Sequence, residues 1–278
     1  MNRIAMTRLI SLLLLALSAP AGALILRHDV DDARYQVPVT EFRALVDLPH
    51  EAHGVLIAPQ WVVTAAHATQ WHEHPIEAVT LNGTSRKVER VVVHPGFKPL
   101  PAELLSGDAA PAMRWQAASD DIALIKLAEP VTDVTPVAIH RAGDEMGKLV
   151  KLLGKGATGN GRDGQDPHSP HRTQLRRAFN LVTVADTRWL GYRFDAPGAA
   201  HPLEGMVGSG DSGGPMLLEV DGEWHLAGLA SWTYYEGDVA AYRAGVYGLS
   251  SRYLRISRYA AWIDDVLTSD KAAVAAPR

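Results

Sequence analysis

The chain of 278 residues contains no cysteine. This absence excludes disulfide bonds, thiol catalysis and zinc sites built on cysteine, so the hydrophobic core must stabilise the fold unaided. Positive charge is also scarce, because 27 Lys and Arg stand against 31 Asp and Glu, a formal charge of −4. No basic patch therefore indicates a nucleic-acid partner. The hydrophobic fraction of 47% is ordinary for a globular protein with a sizeable core.

Long apolar runs are absent except near the N-terminus, where "LISLLLLAL" covers residues 9–17. Arg3 and Arg8 precede this run and the small residues of "SAPAGA" follow it, which is typical of a secretory signal peptide over residues 1–23. The alternative is a membrane anchor, but the run has roughly half of the ~20 residues that a spanning helix needs. We expect a secreted or periplasmic protein without membrane contact after signal removal.

Short apolar or alternating segments between turn signals predict an all-β fold. Asn82-Gly83 and Asp221-Gly222 each separate two strand-like halves, and both dipeptides favour hairpin turns. The final segment, "SDKAAVAAPR" at 269–278, has no apolar period and is expected to be a disordered tail. One helix is expected just before it, because apolar residues recur at helical spacing: Tyr259, Trp262, Ile263, Val266 and Leu267.

Two patterns suggest ligand sites that we do not expect to exist. A G-x-G-x-x-G motif begins at Gly154, but the glycines and prolines after it prevent the helix that a dinucleotide site requires. Several histidines could suggest zinc, but their spacing matches no common helical ligand pair: His50, His53, His67, His72 and His74. We expect no metal and no cofactor.

Three segments carry residues suited to nucleophilic catalysis. "WVVTAAH" ends in His67, "SDDIALIKL" places Asp120 and Asp121 before an apolar strand, and "GSGDSGGP" contains Ser212. A serine becomes a nucleophile when a base accepts its proton and a third group orients that base. From these residues alone, Ser212 is either a nucleophile or a polar residue of a tight turn, and the two aspartates are either catalytic or strand-edge acids.

In this order, "TAAH", "DIAL" and "GDSGGP" resemble the chymotrypsin-like (trypsin-like) serine endopeptidases, here of the bacterial exported type without disulfides. "LAGLASW" is similar to the family's strand after the serine. The resemblance implies that His67 is the general base, Asp121 its orienting acid and Ser212 the nucleophile. It also implies an oxyanion hole formed by the N–H groups of Gly210 and Ser212, and a hydrogen bond from Ser231 to Asp121.

The resemblance further implies the architecture: two packed six-stranded antiparallel β-barrels and a C-terminal α-helix. The first barrel would span 24–140 and carry His67 and Asp121, and the second would span 141–268, with Ser212 and the helix. The expected substrate is a protein or peptide, and the expected state is a monomer.

The chain departs from the family at three places. Ala52 and Ala68 replace the cysteines that flank the histidine, "GKG" at 154–156 replaces the frequent "GWG", and no "IVGG" activation sequence is present.

By family spacing, the specificity pocket has Met206 at its base, six residues before the serine, with Thr233 and Gly245 in its walls. Met206 cannot pair with an arginine or lysine of the substrate, and a buried guanidinium without a partner is strongly disfavoured. We expect cleavage after small or medium apolar residues, unless Glu204 or Asp238 reaches the pocket.

Maturation is expected to involve Asp211, because the family pairs the acid before the serine with a new N-terminal ammonium. Signal cleavage after Ala23 would expose Leu24 and supply this ammonium on export. Cleavage after Ala21 would expose Gly22 instead, and another group would have to neutralise Asp211.

Two other functions remain open from the sequence. The fold could serve as a catalytically silent binding or regulatory module, although such relatives usually lack a triad residue. The same triad could also act on esters.

Overall fold

A computed structural model of the protein describes residues 24–70, 75–169, 171, 172 and 174–275. The predicted signal peptide, 1–23, lies outside the described residues. Most elements are strands, which confirms the all-β class. Those of the first part are β1 (Leu24–Leu26), β2 (Leu45–Leu48), β3 (Ala52–Ala58), β4 (Trp61–Thr64), β5 (Ala78–Leu81), β6 (Thr84–Val93) and β7 (Ala123–Leu127).

The second part contains the remaining strands: β8 (Leu149–Gly154), β9 (Thr158–Asn160), β10 (Gly164–Gln165), β11 (Arg176–Leu181), β12 (Val184–Ala185), β13 (Trp189–Arg193), β14 (Gly205–Met206), β15 (Pro215–Val220), β16 (Glu223–Tyr234) and β17 (Ser250–Arg255). The α-helices are α1 (Ala110–Ala117) and α2 (Ile256–Ala275). Short 3₁₀ turns cover Asp32–Arg34, Val39–Phe42, His67–Thr69, Ala102–Leu105 and Val239–Ala241.

Six strands close the first barrel, in the order β2-β3-β4-β7-β6-β5. The predicted turn between β5 and β6 is present, with φ of 49° at Asn82 and 76° at Gly83, as a tight hairpin requires. Buried aliphatic side chains such as Val55, Val62 and Ile125 fill the interior. Because β4 and β7 pair in antiparallel register, Thr64 lies opposite Ala123, and the end of β4 meets the start of β7 at one barrel edge.

The second part contains a seven-stranded sheet, β11-β8-β15-β16-β17-β13-β12, and a four-stranded sheet, β10-β9-β1-β14. The predicted turn between β15 and β16 is also present, with φ of 51° at Asp221 and 85° at Gly222. The resemblance implied a second closed barrel, whereas the strand pairing here forms two sheets.

Strand β1 belongs to this second part and not to the first barrel, which corrects the expected assignment of residues 24 onward. It pairs in parallel with β9 and antiparallel with β14. All three of its side chains are buried in the second core cluster, because an apolar triplet is stabilised where both neighbouring strands cover it. The division of the chain at residue 140 stays a prediction.

Helix α2 buries Tyr259 and Ile263, as the helical spacing predicted. It continues to Ala275, so the expectation of a disordered tail from 269 is wrong for residues 269–275. Asp270 accepts hydrogen bonds from Lys126 Nζ (2.8 Å) and from Arg90 (3.0 Å), which hold the helix end on the first barrel. No helix in the described part of the chain is long and apolar enough to cross a membrane.

Candidate active site

His67 lies where β4 ends, at the barrel edge that also carries Asp121. Ala65 and Ala66 are fully buried and lead the chain from the strand into the 3₁₀ turn that starts at His67. The ring lies at the border between the buried barrel and an open cavity, where a side chain can meet a substrate.

Asp121 is 4% exposed and binds His67 at two points. Its Oδ1 accepts the backbone N–H of His67 at 2.8 Å, and its Oδ2 lies 2.7 Å from Nδ1 of the ring. The hydroxyl of Ser231 also donates to Oδ2, the contact that the resemblance implied. The neighbouring Asp120 points elsewhere, accepting hydrogen bonds from Arg188 (2.8 Å) and Tyr259 (2.6 Å).

Ser212 lies in the turn between β14 and β15, with its Oγ 2.8 Å from Nε2 of His67. The turn needs glycine, since φ is 89° at Gly210 and 73° at Gly213, values that side-chain-bearing residues adopt only with strain. A Cβ on Gly213 would also lie 2.2 Å from the backbone oxygen of His53. The glycines of "GSGDSGGP" thus bring the serine hydroxyl within reach of the imidazole.

Gly210 and Ser212 both line an open cavity beside His67. Neighbouring amides of the turn are used internally: Asp211 N–H donates to Gly208 O (3.1 Å) and Gly214 N–H to Asp211 O (2.8 Å). In the part of the chain that the structure describes, the amides of Gly210 and Ser212 donate to no protein acceptor. Two N–H groups of one turn without a protein acceptor are suited to bind a negative oxygen.

Charge interactions shift the pKa values of His67 and Asp121 in opposite directions. Burial by itself lowers the pKa of His67, but the charge and hydrogen bond of Asp121 outweigh burial, so the pKa is raised above its ordinary value. Burial by itself raises the pKa of Asp121, but His67 and Ser231 outweigh it, so the pKa is lowered. The carboxylate therefore stays ionised, and its charge would stabilise an imidazolium if the ring accepted a proton.

Comparison with known proteins agrees with this geometry. The family profile described as Trypsin matches residues 30–263. The chain belongs to the trypsin family. Serine protease 41 from Homo sapiens is 29% identical over 253 residues, which are 79% of this chain and 69% of that protein. Complement C1s subcomponent from Sus scrofa is 27% identical over 250 residues, 80% of this chain but only 33% of that protein. Trypsin-family membership classes the chain as a serine endopeptidase.

In this trypsin-family chain, a cavity of about 800 Å³ is lined by Ser212 and His67. Part of its lining is apolar and comes from the segment before α1 and from aromatic residues of the second part: Phe97, Pro99, Leu100, Trp189, Trp232 and Tyr242. An extended peptide can bury its apolar side chains on such a surface.

Two of the three predicted pocket residues, Thr233 and Gly245, line this cavity, but Met206 does not. Met206 is 1% exposed in β14, opposite Ile25 of β1, and packs in the second core cluster. The next residue, Val207, lines the cavity in its place. Successive side chains of an extended segment face opposite sides, so counting from the serine selected a residue that faces the core and not the cavity.

The alternative acids do not reach the pocket either. Glu204 is fully buried, where it accepts the backbone N–H groups of Asp195 (2.5 Å) and His201 (2.8 Å). Asp238 caps the turn Val239–Ala241 through the amide of Ala240. Sequence reasoning missed Gln165, which lines the cavity and bonds Ser209 through both amide atoms, at 2.8 and 3.0 Å. No local signal distinguishes this residue, because it comes from an irregular, glycine-rich segment.

Asp211 is fully buried beneath the serine turn. Its Oδ1 accepts the N–H of Gly156 (2.8 Å), and its Oδ2 accepts the N–H of Gly208 (2.9 Å). A Cβ on Gly154 or Gly156 would lie 2.2 or 2.8 Å from this carboxylate. The glycines that resembled a nucleotide motif thus make room for Asp211. Burial raises the pKa of the Asp211 carboxyl above its ordinary value.

Among the described residues, no group of three or more His, Asp or Glu side chains could hold a metal ion. His72 and His74, which the sequence raised as candidates, lie outside the described residues.

Proposed function

We propose that this protein hydrolyses peptide bonds with Ser212 as nucleophile, His67 as general base and Asp121 as the acid that orients and stabilises the imidazole. One observation carries the proposal: a continuous line of contacts joins Asp121 Oδ2, His67 and Ser212 Oγ, with distances of 2.7 and 2.8 Å. A solvent-bordering hydroxyl in such a line has an acceptor for its proton and an open space for the substrate.

In the first step, Ser212 Oγ attacks the carbonyl carbon while its proton moves to His67 Nε2. The carbonyl oxygen becomes negative, and the N–H groups of Gly210 and Ser212 stabilise it. Removal of one such donor costs about 3 kcal/mol of transition-state stabilisation in a related chemistry. The C–N bond then breaks as the imidazolium gives its proton to the leaving amine. Water repeats the sequence on the acyl-enzyme and restores the serine.

The cavity supports cleavage after small or medium apolar residues. Val207, Thr233 and Gly245 line it, and its acidic lining residues in the described structure are Glu51 and Asp121. Asp121 is already engaged by His67 and Ser231, and Glu51 lies 2.6 Å from His171. An incoming arginine would therefore find no free carboxylate beside Val207 and Thr233. A peptide library with varied residues before the cleaved bond measures this preference.

We further propose that the protein is exported to the periplasm or medium of a bacterial cell, and that signal removal after Ala23 completes the enzyme. Ala23 lies outside the described residues. The position of the Leu24 side chain supports the proposal, because its Cδ2 and Asp211 Oδ1 both lie near one point beside Gly154, at 3.2 and 2.2 Å from the place that a Cβ would occupy. Leu24 and Asp211 are therefore neighbours, and we propose that the ammonium at Leu24 pairs with this carboxylate. N-terminal sequencing of the active protein tests this, and a start well beyond Leu24 contradicts it.

Labelling with a fluorophosphonate probe tests the nucleophile, with Ser212→Ala as the control. We expect labelling and casein hydrolysis by the unaltered protein and neither by the variant, with turnover reduced on the order of 10⁴ to 10⁶-fold. Turnover that survives in pure Ser212→Ala protein contradicts the proposed nucleophile. Labelling without casein hydrolysis, but with cleavage of a small ester, indicates an esterase, and absence of all three activities indicates a silent binding module.

A further inference from the structure

The cavity beside Ser212 is lined by charges of both signs. In the part of the chain that the structure describes, its lining residues with formally charged side chains are Glu51, Lys98 and Asp121. Asp121 is engaged by His67 and is 4% exposed. The side chain of Glu51 is 53% exposed, and Lys98 is also exposed. One accessible anion and one accessible cation can therefore meet a substrate in the same cavity.

The first barrel places Glu51 and Lys98 on opposite sides of His67. The strands β3-β4-β7-β6 are neighbours in antiparallel register, so the start of β3, the end of β4, the start of β7 and the end of β6 share one barrel edge. Glu51 directly precedes β3, His67 follows β4, and Lys98 follows β6. Three strand spacings, about 14 Å along the barrel edge, separate β3 from β6. The two charges thus flank the proposed base.

Lys98 lies on the side of the cleft that holds the residues before the cleaved bond. Its backbone N–H donates at 2.8 Å to Oγ of Ser119, two residues after α1. Trp189 Nε1 donates to the carbonyl at the end of α1 (2.9 Å), and the Trp189 ring centroid lies 5.4 Å from that of Trp232. Trp232 directly precedes Thr233, a wall of the proposed specificity pocket. This chain of contacts connects the segment of Lys98 with the pocket.

Glu51 lies beside the oxyanion turn, on the other side. A Cβ on Gly210 would be 3.5 Å from Glu51 Cβ and 3.2 Å from His171 Nδ1. His171 Nδ1 is 2.6 Å from Glu51 Oε2, and the Glu51 side chain is 53% exposed with this contact in place. A peptide whose carbonyl oxygen binds at Gly210, with the preceding side chain beside Val207 and Thr233, extends from there toward Glu51. Glu51 is therefore suited to contact the residues after the cleaved bond.

The backbone at Glu51 gives an independent sign of function. In the turn between β2 and β3, φ is 57° at His50 and 65° at Glu51. Glycine and asparagine adopt such values most readily, whereas other residues adopt them with strain. Strained backbone is concentrated at ligand-binding and catalytic positions. The strain at Glu51 therefore supports a role for this residue beyond closing the turn.

We propose that Glu51 and Lys98 are specificity-determining residues that select opposite charges on the two sides of the cleaved bond. Glu51 favours Arg or Lys among the first three residues after the bond, which span about 10 Å of extended chain. Lys98 favours Asp or Glu upstream of the residue that enters the specificity pocket. Such charges attract over a screening length of about 8 Å at physiological ionic strength. This inference rests on the proposed function, since it names the substrate class of the same site.

The experiment reverses one charge at a time. The natural form, Glu51→Lys and Lys98→Glu are prepared from the exported full chain, and kcat, KM and Tm are measured for each. One pair of peptides carries Arg or Glu after the cleaved bond, and a second pair carries Arg or Glu upstream of the pocket residue. Glu223→Lys and Lys87→Glu are the matched controls, because they change the net charge equally at exposed positions outside the cavity lining.

We expect the natural form to prefer Arg over Glu after the bond, and Glu over Arg upstream, each by about three- to fivefold in kcat/KM. Glu51→Lys should reverse only the first preference, and Lys98→Glu only the second. The changes should appear in KM, because the ground state and the transition state share these contacts. At 1 M salt, where the screening length is about 3 Å, both preferences should nearly vanish. The two control variants should keep both preferences.

Equal cleavage of the two peptides of each pair by the natural form would overturn the proposal, as would preferences that survive the charge reversals. Reversal at one end only would overturn the role of the other residue. If Glu51→Lys lowers Tm, Glu51→Gln replaces it, and this variant should lose the preference after the bond without reversing it. Failure of the proposed function is distinguishable, since the natural form would then hydrolyse none of the peptides in a Ser212-dependent way.

Discussion

The carboxylate of Asp121 holds His67 by both its backbone N–H (2.8 Å) and its ring Nδ1 (2.7 Å). The first contact fixes where the residue stands, and the second fixes the direction of the ring and the tautomer that presents Nε2 to Ser212. The same two contacts keep the negative charge close to the ring, which is why the pKa of His67 is raised despite burial.

This relationship predicts the pH dependence of catalysis. As the proposed base, His67 would have to be unprotonated to accept the serine proton, so kcat/KM should rise with pH through a midpoint above 6.5, the ordinary histidine value. Asp121, with a lowered pKa, is ionised throughout this range. Asp121→Asn should move the midpoint down and reduce the plateau on the order of 10⁴-fold. Activity that peaks below pH 6 would contradict the assignment of His67 as the base.

The same pKa shift predicts a contribution to stability with a definite sign. Because the pKa of folded His67 is raised, the protonated ring stabilises the folded state at low pH, and this contribution is lost as pH rises through the folded pKa. His67→Gln should therefore remove part of the pH dependence of unfolding at mildly acidic pH. Denaturant unfolding of both proteins from pH 5 to 8 measures the difference. Parallel curves of unfolding free energy against pH for the two proteins would contradict the raised pKa of His67.

Ser231 should matter through its hydroxyl. It donates to Asp121 Oδ2, the oxygen that faces the His67 ring. A hydrogen bond to a charged group contributes about 1.5 to 3 kcal/mol, so Ser231→Ala should lower kcat roughly 10- to 100-fold and leave KM nearly constant. Ser231→Thr keeps the hydroxyl and should retain more of the rate. If kcat falls equally in the two variants, Ser231 only forms part of the cavity wall and its hydroxyl does not matter for the rate.

Met206 and Val207 are neighbours in the chain, but the first side chain is buried in the core and the second lines the cavity. The same substitution at both positions therefore gives a paired test of the pocket. Val207→Asp places an acid in the cavity lining and should shift preference toward Arg or Lys. Met206→Asp places an acid in the core, where Met206 is 1% exposed, and should lower Tm without creating that preference. Peptide-library profiling and thermal unfolding of both variants decide the matter. If the Met206→Asp variant instead preferred substrates with Arg or Lys, Met206 would form the bottom of the specificity pocket after all.

The end of helix α2 should depend on one ion-paired cluster. Asp270, with an 11% exposed side chain, binds Lys126 and Arg90, whereas the Asp264–Arg141 pair on the same helix is about half exposed on both sides. Asp270→Asn should cost about 1 to 2 kcal/mol of unfolding free energy, and Asp264→Asn less than about 0.5 kcal/mol. Hydrogen exchange of residues 269–275 should accelerate in the first variant only.

Features that depend on neighbours along the chain were predictable from the sequence. Asn82-Gly83 and Asp221-Gly222 form turns because they tolerate positive φ, and the period of Tyr259 and Ile263 predicts a helix face wherever the helix packs. Three short motifs also place His67, Asp121 and Ser212 in the chain order of the family's catalytic residues. The family resemblance then suggested a role for each residue.

Features that depend on contacts between distant segments emerge only when the chain folds. His67 meets a partner 54 positions away and another 145 positions away, and no local pattern fixes those distances. Whether Met206 or Val207 faces the cavity depends on how β14 pairs with β1. The helix end past residue 269 is held by Arg90 of β6 and Lys126 of β7, two elements far away along the chain. Local chemistry sets the conformations a segment can adopt, whereas register and packing between segments set which atoms meet and which charges must balance.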